Sequence, residues 1–261
     1  MTEPAVSGLW NRPPFPVNTL PFDHVCVDGF LPRDLFDELA STFPECPPAT
    51  GPTGFTIHPG DAGFDRLMST HGAWSDLWKA CDSQAFTDFM LRQFAACFSK
   101  DAVVSLDHAR HVLRVESRAE KESRHPPANE LAPDDLWVRF DLMQGRVGYK
   151  RKVHVDHRRR AATMLLYFTE SEPSEADGGN LLLHGARGAT ATIVPRANRL
   201  VMFPCNNASW HSVSPIVRQR HPRNFLQVTL SSSVDLWRPL PQGFGARLRE
   251  GFRALARGHV G

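Results

Sequence analysis

From residue 136 onward the chain breaks into short runs in which apolar and polar residues alternate. LWVRFDLM (136–143), TMLLYF (163–168) and RNFLQVTL (223–230) alternate, and NLLL (180–183), TATIV (190–194) and RLVMF (199–203) are shorter runs between Gly, Pro and Asn. Alternation with a period of two places successive side chains on opposite faces of a strand. Many short strands at such spacing fold as a sandwich or a jelly-roll barrel. In RNFLQVTL, Asn224, Leu226, Val228 and Leu230 share an apolar face, which belongs against a core or against helices. Arg223, Phe225, Gln227 and Thr229 share the other, mixed face, which can line a small polar pocket. An arginine pointing inward needs a carboxylate.

Upstream, the pattern is helical. Residues 1–20 hold several prolines and read as an arm over the surface, and PFDHVCVDGFLPRDLFDELASTFP (21–44) reads as strand, turn and helix. Leu35, Phe36, Leu39 and Phe43 fall on one face of that helix. Residues 46–63 read as a loop, and Phe86, Phe89, Met90, Phe94, Cys97 and Phe98 mark a second helix over 83–98. The stretch 117–135 reads as a polar loop, and Phe244, Leu248, Phe252 and Leu255 place a helix in the tail. The division is an arm over 1–20, a strand and supporting helices over 21–135, a β-core over 136–240 and a helix over 241–261. Residues 21–261 are expected to form one compact domain.

A net charge of +2 is too mild to imply nucleic-acid binding. Five cysteines without a C-x-x-C pair argue for reduced thiols and against a cysteine zinc site. Neither a signal peptide nor an apolar run long enough for a bilayer is evident, so a cytoplasmic protein without a membrane partner is expected.

The segment KRKVHVDHRRR (150–160) sets Asp156 among cations, with His154 two residues before it. It can be read as a solvated basic turn. It can also be read as a strand end from which His154 and Asp156 project together toward a metal. His211, which opens HSVSPIV, can supply a third ligand from another strand. Two histidines and one carboxylate leave coordination positions open, as in non-haem Fe(II) oxygenases. A zinc hydrolase could use the same ligands, but no glutamate stands at a telling offset to act as its base.

His154-Val155-Asp156, then Arg160-x-x-Thr163-x-x-x-Tyr167, Asp177-Gly178-Gly179-Asn180-Leu181, His211-x-Val213-x-Pro215 and Arg223 resemble the prolyl-4-hydroxylase-like branch of the Fe(II)/2-oxoglutarate-dependent dioxygenases. The resemblance is dense over roughly 149–230 and looser over 21–44, where PFDHVCVDGFLP is similar to the first strand and turn of many members. It implies an α+β, mainly β fold: a double-stranded β-helix (jelly-roll, cupin-like) with N-terminal helices packed on one sheet. It implies Fe(II) held by His154, Asp156 and His211, with 2-oxoglutarate gripped at its distal carboxylate by Arg223 and by the Tyr167 hydroxyl. O2 would be the co-oxidant and ascorbate an optional reductant. The implied reaction hydroxylates an unactivated C–H bond of a protein side chain such as proline, or of a small metabolite, and releases succinate and CO2.

Asn180 stands where the family more often has an acid, Arg218 and Arg220 rival Arg223 for the carboxylate, and Tyr149 lies close enough to the H-x-D strand to reach the pocket. The basic crowd Lys150–Arg160 reads as a solvated rim or as a receiver for an anionic substrate group. Thr229 stands where a nucleic-acid dealkylase would carry a second arginine. The rival reading of the whole chain is a catalytically silent barrel that binds a small carboxylate or a protein partner. Oligomeric state has no signature in the sequence.

Overall fold

The computed structural model describes residues 8–46, 55–116, 131–169 and 174–239, together with Val6 and Glu120. The expected tail helix and most of the polar loop lie outside the described residues. Strands are β1 (Val25–Val27), β2 (Phe55–Ile57), β3 (Arg110–His111), β4 (Asp135–Gly145), β5 (Arg151–His154) and β6 (Arg160–Tyr167). They continue as β7 (Leu181–His184), β8 (Thr190–Ile193), β9 (Leu200–Pro204), β10 (Trp210–Val213) and β11 (Arg223–Ser232). The helices are α1 (Arg33–Ser41), α2 (Ala62–Thr70), α3 (Gly72–Cys81), α4 (Gln84–Gln93) and α5 (Ala95–Asp101).

Seven strands form the larger sheet, in the order β1-β9-β6-β11-β4-β2 with β3 alongside β4. Four form the smaller one, in the order β5-β10-β7-β8. Two mainly antiparallel sheets facing each other make the double-stranded β-helix. Alternation sorts the side chains of the larger sheet. Leu226, Val228 and Leu230 of β11, Met164 and Leu166 of β6, and Leu200 and Met202 of β9 join the core shared with the helices. Phe225, Leu165, Tyr167, Val201 and Phe203 turn to the interior between the sheets, where Leu181 and Leu183 of the smaller sheet meet them.

Four expectations shift. The second helix is interrupted at Phe94, whose φ of −124° is not helical, so 83–98 becomes α4 and the start of α5. The supposed loop over 46–63 contains β2, which extends the larger sheet along β4, and the start of α2. HSVSPIV pairs only as far as Val213, because Pro215 has no N–H to give a ladder. The N-terminal arm does not merely lie over the surface. Leu9 and Trp10 are buried, and the Trp10 ring packs on Phe30, Phe86 and Phe89 with centroids 5.8, 4.8 and 5.3 Å away.

Trp10→Ala should therefore cost about 3–5 kcal/mol of stability, the usual range for deleting a buried ring. Urea unfolding followed by circular dichroism measures it, and a loss below about 1 kcal/mol would mean that the segment only drapes the helices.

Candidate metal centre

Strands β5 and β10 are antiparallel neighbours in the smaller sheet, and their register sets His154 directly opposite His211. The two imidazoles face each other with centroids 4.3 Å apart. His154 Nδ1 is bonded to the Lys152 carbonyl at 2.8 Å and His211 Nδ1 to the Ser209 carbonyl at 2.9 Å. Each ring thus donates from Nδ1 to the backbone and presents a bare Nε2. Asp156 leaves the end of β5 and brings Oδ1 to 3.9 Å from both Nε2 atoms. One donor atom from each of the three residues lies within 4.8 Å of the others.

The other carboxylate oxygen is held away from this meeting point. Thr163 Oγ1 donates to Asp156 Oδ2 at 2.8 Å, and the Cys205 thiol donates to the same atom at 3.4 Å. Thr163 and Cys205 also touch each other at 3.2 Å. Burial, and next the Asp156 charge, keep the Cys205 thiol protonated. Burial works to raise the Asp156 pKa, but His211, Arg160, His154 and the Thr163 hydrogen bond together outweigh it and leave the group at about 2. Burial chiefly, with His211, lowers His154 to about 4. Near neutral pH the site therefore offers a carboxylate and, at His154, an uncharged imidazole, which is the form that binds a metal. Exposure grades from His211 (8%) through Asp156 (13%) to His154 (30%), so the site opens on the His154 side.

The donors line one cavity together with Tyr149, Arg151, Thr163, Leu165, Phe203, Arg223, Phe225 and Gln227. Arg223 is buried at its deep end, where Nε donates to the Gly179 carbonyl at 2.8 Å and Nη2 to the Tyr167 hydroxyl at 3.2 Å. Nη1 is sealed from solvent and has no hydrogen-bond partner among the described residues. An orphaned guanidinium donor is costly in an interior and fits a carboxylate taken from a ligand. Tyr149 reaches the pocket, its ring centroid 5.9 Å from Arg223 Cζ. Arg218 instead pairs with Asp177 at 2.7 Å, and Arg220 is exposed, so neither rival of Arg223 enters the cavity.

The Gly-Gly turn has a steric cause. Gly178 has φ +81°, and a Cβ there would lie 1.8 Å from the Pro215 carbonyl oxygen. Gly179, at φ +72°, passes so close that its carbonyl can receive Arg223. Asn180 fills its position by donating Nδ2 to the Glu175 carbonyl at 2.8 Å, a backbone contact that an acid could not make as a carboxylate.

The basic crowd divides. Arg158 pairs with Asp235 at 2.7 Å, Lys150 and Lys152 are exposed, Arg151 lines the cavity, and Arg160 turns inward toward Asp156. Cys205 and the buried ion group formed by Arg139, Glu116 and Asp141 were not anticipated from the sequence. Arg139 lies 2.7 Å from both acids. The available signals were two charges at inward positions of an otherwise apolar strand, in VRFD, and the parity of Cys205 with inward-facing Phe203.

The profile of the 2OG-Fe(II) oxygenase superfamily matches residues 140–228, the stretch that holds all three donors and Arg223. Over that stretch the chain is similar to the 2OG-Fe(II) oxygenase superfamily. That likeness implies Fe(II), 2-oxoglutarate and O2 as cofactors. A solved structure of a prolyl 4-hydroxylase from Phytophthora capsici matches with TM-score 0.51 at 18% identity, over 87% of this chain and 68% of that one. A Pseudomonas putida prolyl-4-hydroxylase matches with TM-score 0.48 at 19% identity, over 80% of this chain and 92% of that one. The first of these likenesses bears out the fold. No curated protein sequence matches the chain. Among the described residues, no helix is long and apolar enough to cross a membrane.

Gly178→Ala should lower stability by at least about 1–3 kcal/mol from the backbone conformation alone, before the clash with Pro215 is counted. Thermal unfolding measures the loss, and an unchanged Tm would show that the turn relaxes freely.

Proposed function

We propose that this domain is an active dioxygenase that hydroxylates an unactivated C–H bond of a protein side chain, such as proline, or of a small metabolite. The observation that carries this reading is the meeting of His154 Nε2, His211 Nε2 and Asp156 Oδ1, with both Nδ1 atoms already committed to backbone carbonyls. His154, Asp156 and His211 would hold Fe(II). Arg223, with the Tyr167 hydroxyl beside it, would receive the distal carboxylate of 2-oxoglutarate. When bound, the iron and 2-oxoglutarate supply an oxidant strong enough for a C–H bond, with succinate and CO2 as coproducts.

The protein's own part is placement. The backbone carbonyls of Lys152 and Ser209 fix the tautomer and ring orientation of the histidines. Thr163 and Cys205 engage Asp156 Oδ2 and leave Oδ1 as the donor that faces the histidines. Arg223 sets one cosubstrate end at the closed end of the cavity, while the more exposed His154 side remains for substrate. Apolar walls from Leu165, Phe203 and Phe225 keep water from the reacting groups.

Anaerobic loading with Fe(II), followed by addition of O2 and 2-oxoglutarate, should release succinate. Asp156→Ala and His211→Ala should abolish the release together with metal binding. Arg223→Gln should raise the 2-oxoglutarate KM by at least tenfold, as loss of a buried charged hydrogen bond predicts. A folded, iron-loaded protein that releases no succinate would leave the silent barrel as the better reading.

Thr163→Val should weaken Co(II) affinity by about 10–100-fold, the usual effect of removing a hydrogen bond to a metal-binding carboxylate. Calorimetric titration reads it, and unchanged affinity would remove Thr163 from the positioning role.

A further inference from the structure

An irregularity in β5 decides where Arg151 points. His211 and Val213 of β10 share a face, and His154 lies opposite His211. Arg151 stands at an odd offset from His154, so plain alternation would send it to the other face. Val213 nevertheless lies opposite Arg151, and the register shifts between the two pairs, with one more residue on β5 than on β10. That extra residue turns Arg151 onto the face of His154. Arg151 accordingly lines the cavity of the metal centre together with His154, His211 and Val213. Its neighbours Lys150 and Lys152 are exposed and line no part of it.

The lining charges are Arg151, Asp156 and Arg223. Asp156 is committed to the donor cluster and, through Oδ2, to Thr163. Arg223 is bonded at the closed end to the Gly179 carbonyl and the Tyr167 hydroxyl. Arg151 has neither an ion pair nor a hydrogen bond among the described residues. It stands in the same strand as His154, the most exposed of the three donors, and is itself open to solvent. The two cations of the cavity are therefore divided between its ends. Arg223 serves the end that receives 2-oxoglutarate in the function proposed above, and Arg151 is left at the mouth, where a substrate would enter.

We propose that Arg151 is a specificity-determining residue that receives a carboxylate of the substrate at the mouth of the cavity, on the His154 side of the metal triad. The proposal rests on the oxygenase reading for the fate of that substrate. A guanidinium offers a planar fork of N–H donors matched to the two oxygens of a carboxylate, so it orients the group as well as attracting it. An uncharged amide of the same shape accepts through one oxygen only and gains no charge attraction. The substrates considered above are thereby narrowed to those that carry a carboxylate near the C–H bond, whether as a free organic acid or as an acidic side chain in a peptide.

In ¹H–¹⁵N spectra of the protein supplied with Zn(II) and 2-oxoglutarate, the Arg151 Nε–H and the Val213 amide report the contact. Propionate should shift both saturably, and propionamide should leave both in place. Arg151→Gln should weaken the propionate response at Val213 by about three- to tenfold, between the worth of an exposed ion pair and that of a charged hydrogen bond. Lys150→Gln should have a much smaller effect, and the affinity for 2-oxoglutarate should be unchanged in both variants. Both substitutions alter exposed side chains, so the fold should persist. If a blocked glutamyl peptide binds more tightly than propionate, the carboxylate belongs to a peptide, and if more weakly, to a free acid; either result supports the site. No response to propionate, an equal response to propionamide, or equal losses in Arg151→Gln and Lys150→Gln would overturn the proposal. So would a fall in 2-oxoglutarate affinity as large as that for propionate, which would assign Arg151 to the cosubstrate. A stronger response to inorganic phosphate would overturn the carboxylate assignment. The readout needs no turnover, so absent succinate release would defeat the oxygenase reading without obscuring this one.

Discussion

The register between β5 and β10 is the constraint on which the site depends. It sets His154 opposite His211, and a slip of one residue in either strand would turn one imidazole out of the cavity. The register is held from both sides. β10 also pairs with β7 without a break, with Leu183 opposite His211 and its side chain in the interior core. Burial of Leu181 and Leu183 therefore fixes β7, β7 fixes β10, and β10 fixes the histidine pair. Asp156 then links this smaller sheet to the larger one through Thr163 of β6. The candidate metal centre is thus also a seam between the two sheets.

The inner face of the larger sheet is graded along its length. At one end Arg223 and Tyr167 form a buried cationic and hydroxyl corner. The middle is apolar, with Phe225, Leu165 and Phe203, and the far end carries Thr163, Thr229, Arg139, Ser231 and Arg160. Asp156 lies between the two cationic ends, and the net effect of its surroundings keeps it ionised.

Much of this was legible in the chain, for identifiable reasons. Period-two alternation sorted β11 correctly, with Leu226, Val228 and Leu230 toward the helices and Arg223, Phe225 and Gln227 toward the cavity. The spacing in His154-x-Asp156 suggested a shared face, and His211 at the start of HSVSPIV offered a third ligand that the resemblance also implies, but the register that joins them is not local and could not be read from the chain. Other features were hidden. Parity assigns Arg160 to the wrong face, because a bulge is a tertiary event that alternation cannot report. Cys205 looked like an ordinary thiol because its role is a contact with Asp156, 49 residues away. Short helices such as α2 and α3 have too few turns to show a stripe clearly, and Trp10 was read as part of a proline-rich arm although aromatic packing draws it inside.

The central claim is that one metal site built from His154, Asp156 and His211 makes the 2-oxoglutarate site complete. Anaerobic calorimetric titration of 2-oxoglutarate, with and without Fe(II), tests it most directly. One equivalent should bind when Fe(II) is present, and little or none when it is absent or when Asp156 is replaced by alanine. Binding of 2-oxoglutarate that is equally tight without metal, or no binding with metal present, would contradict it.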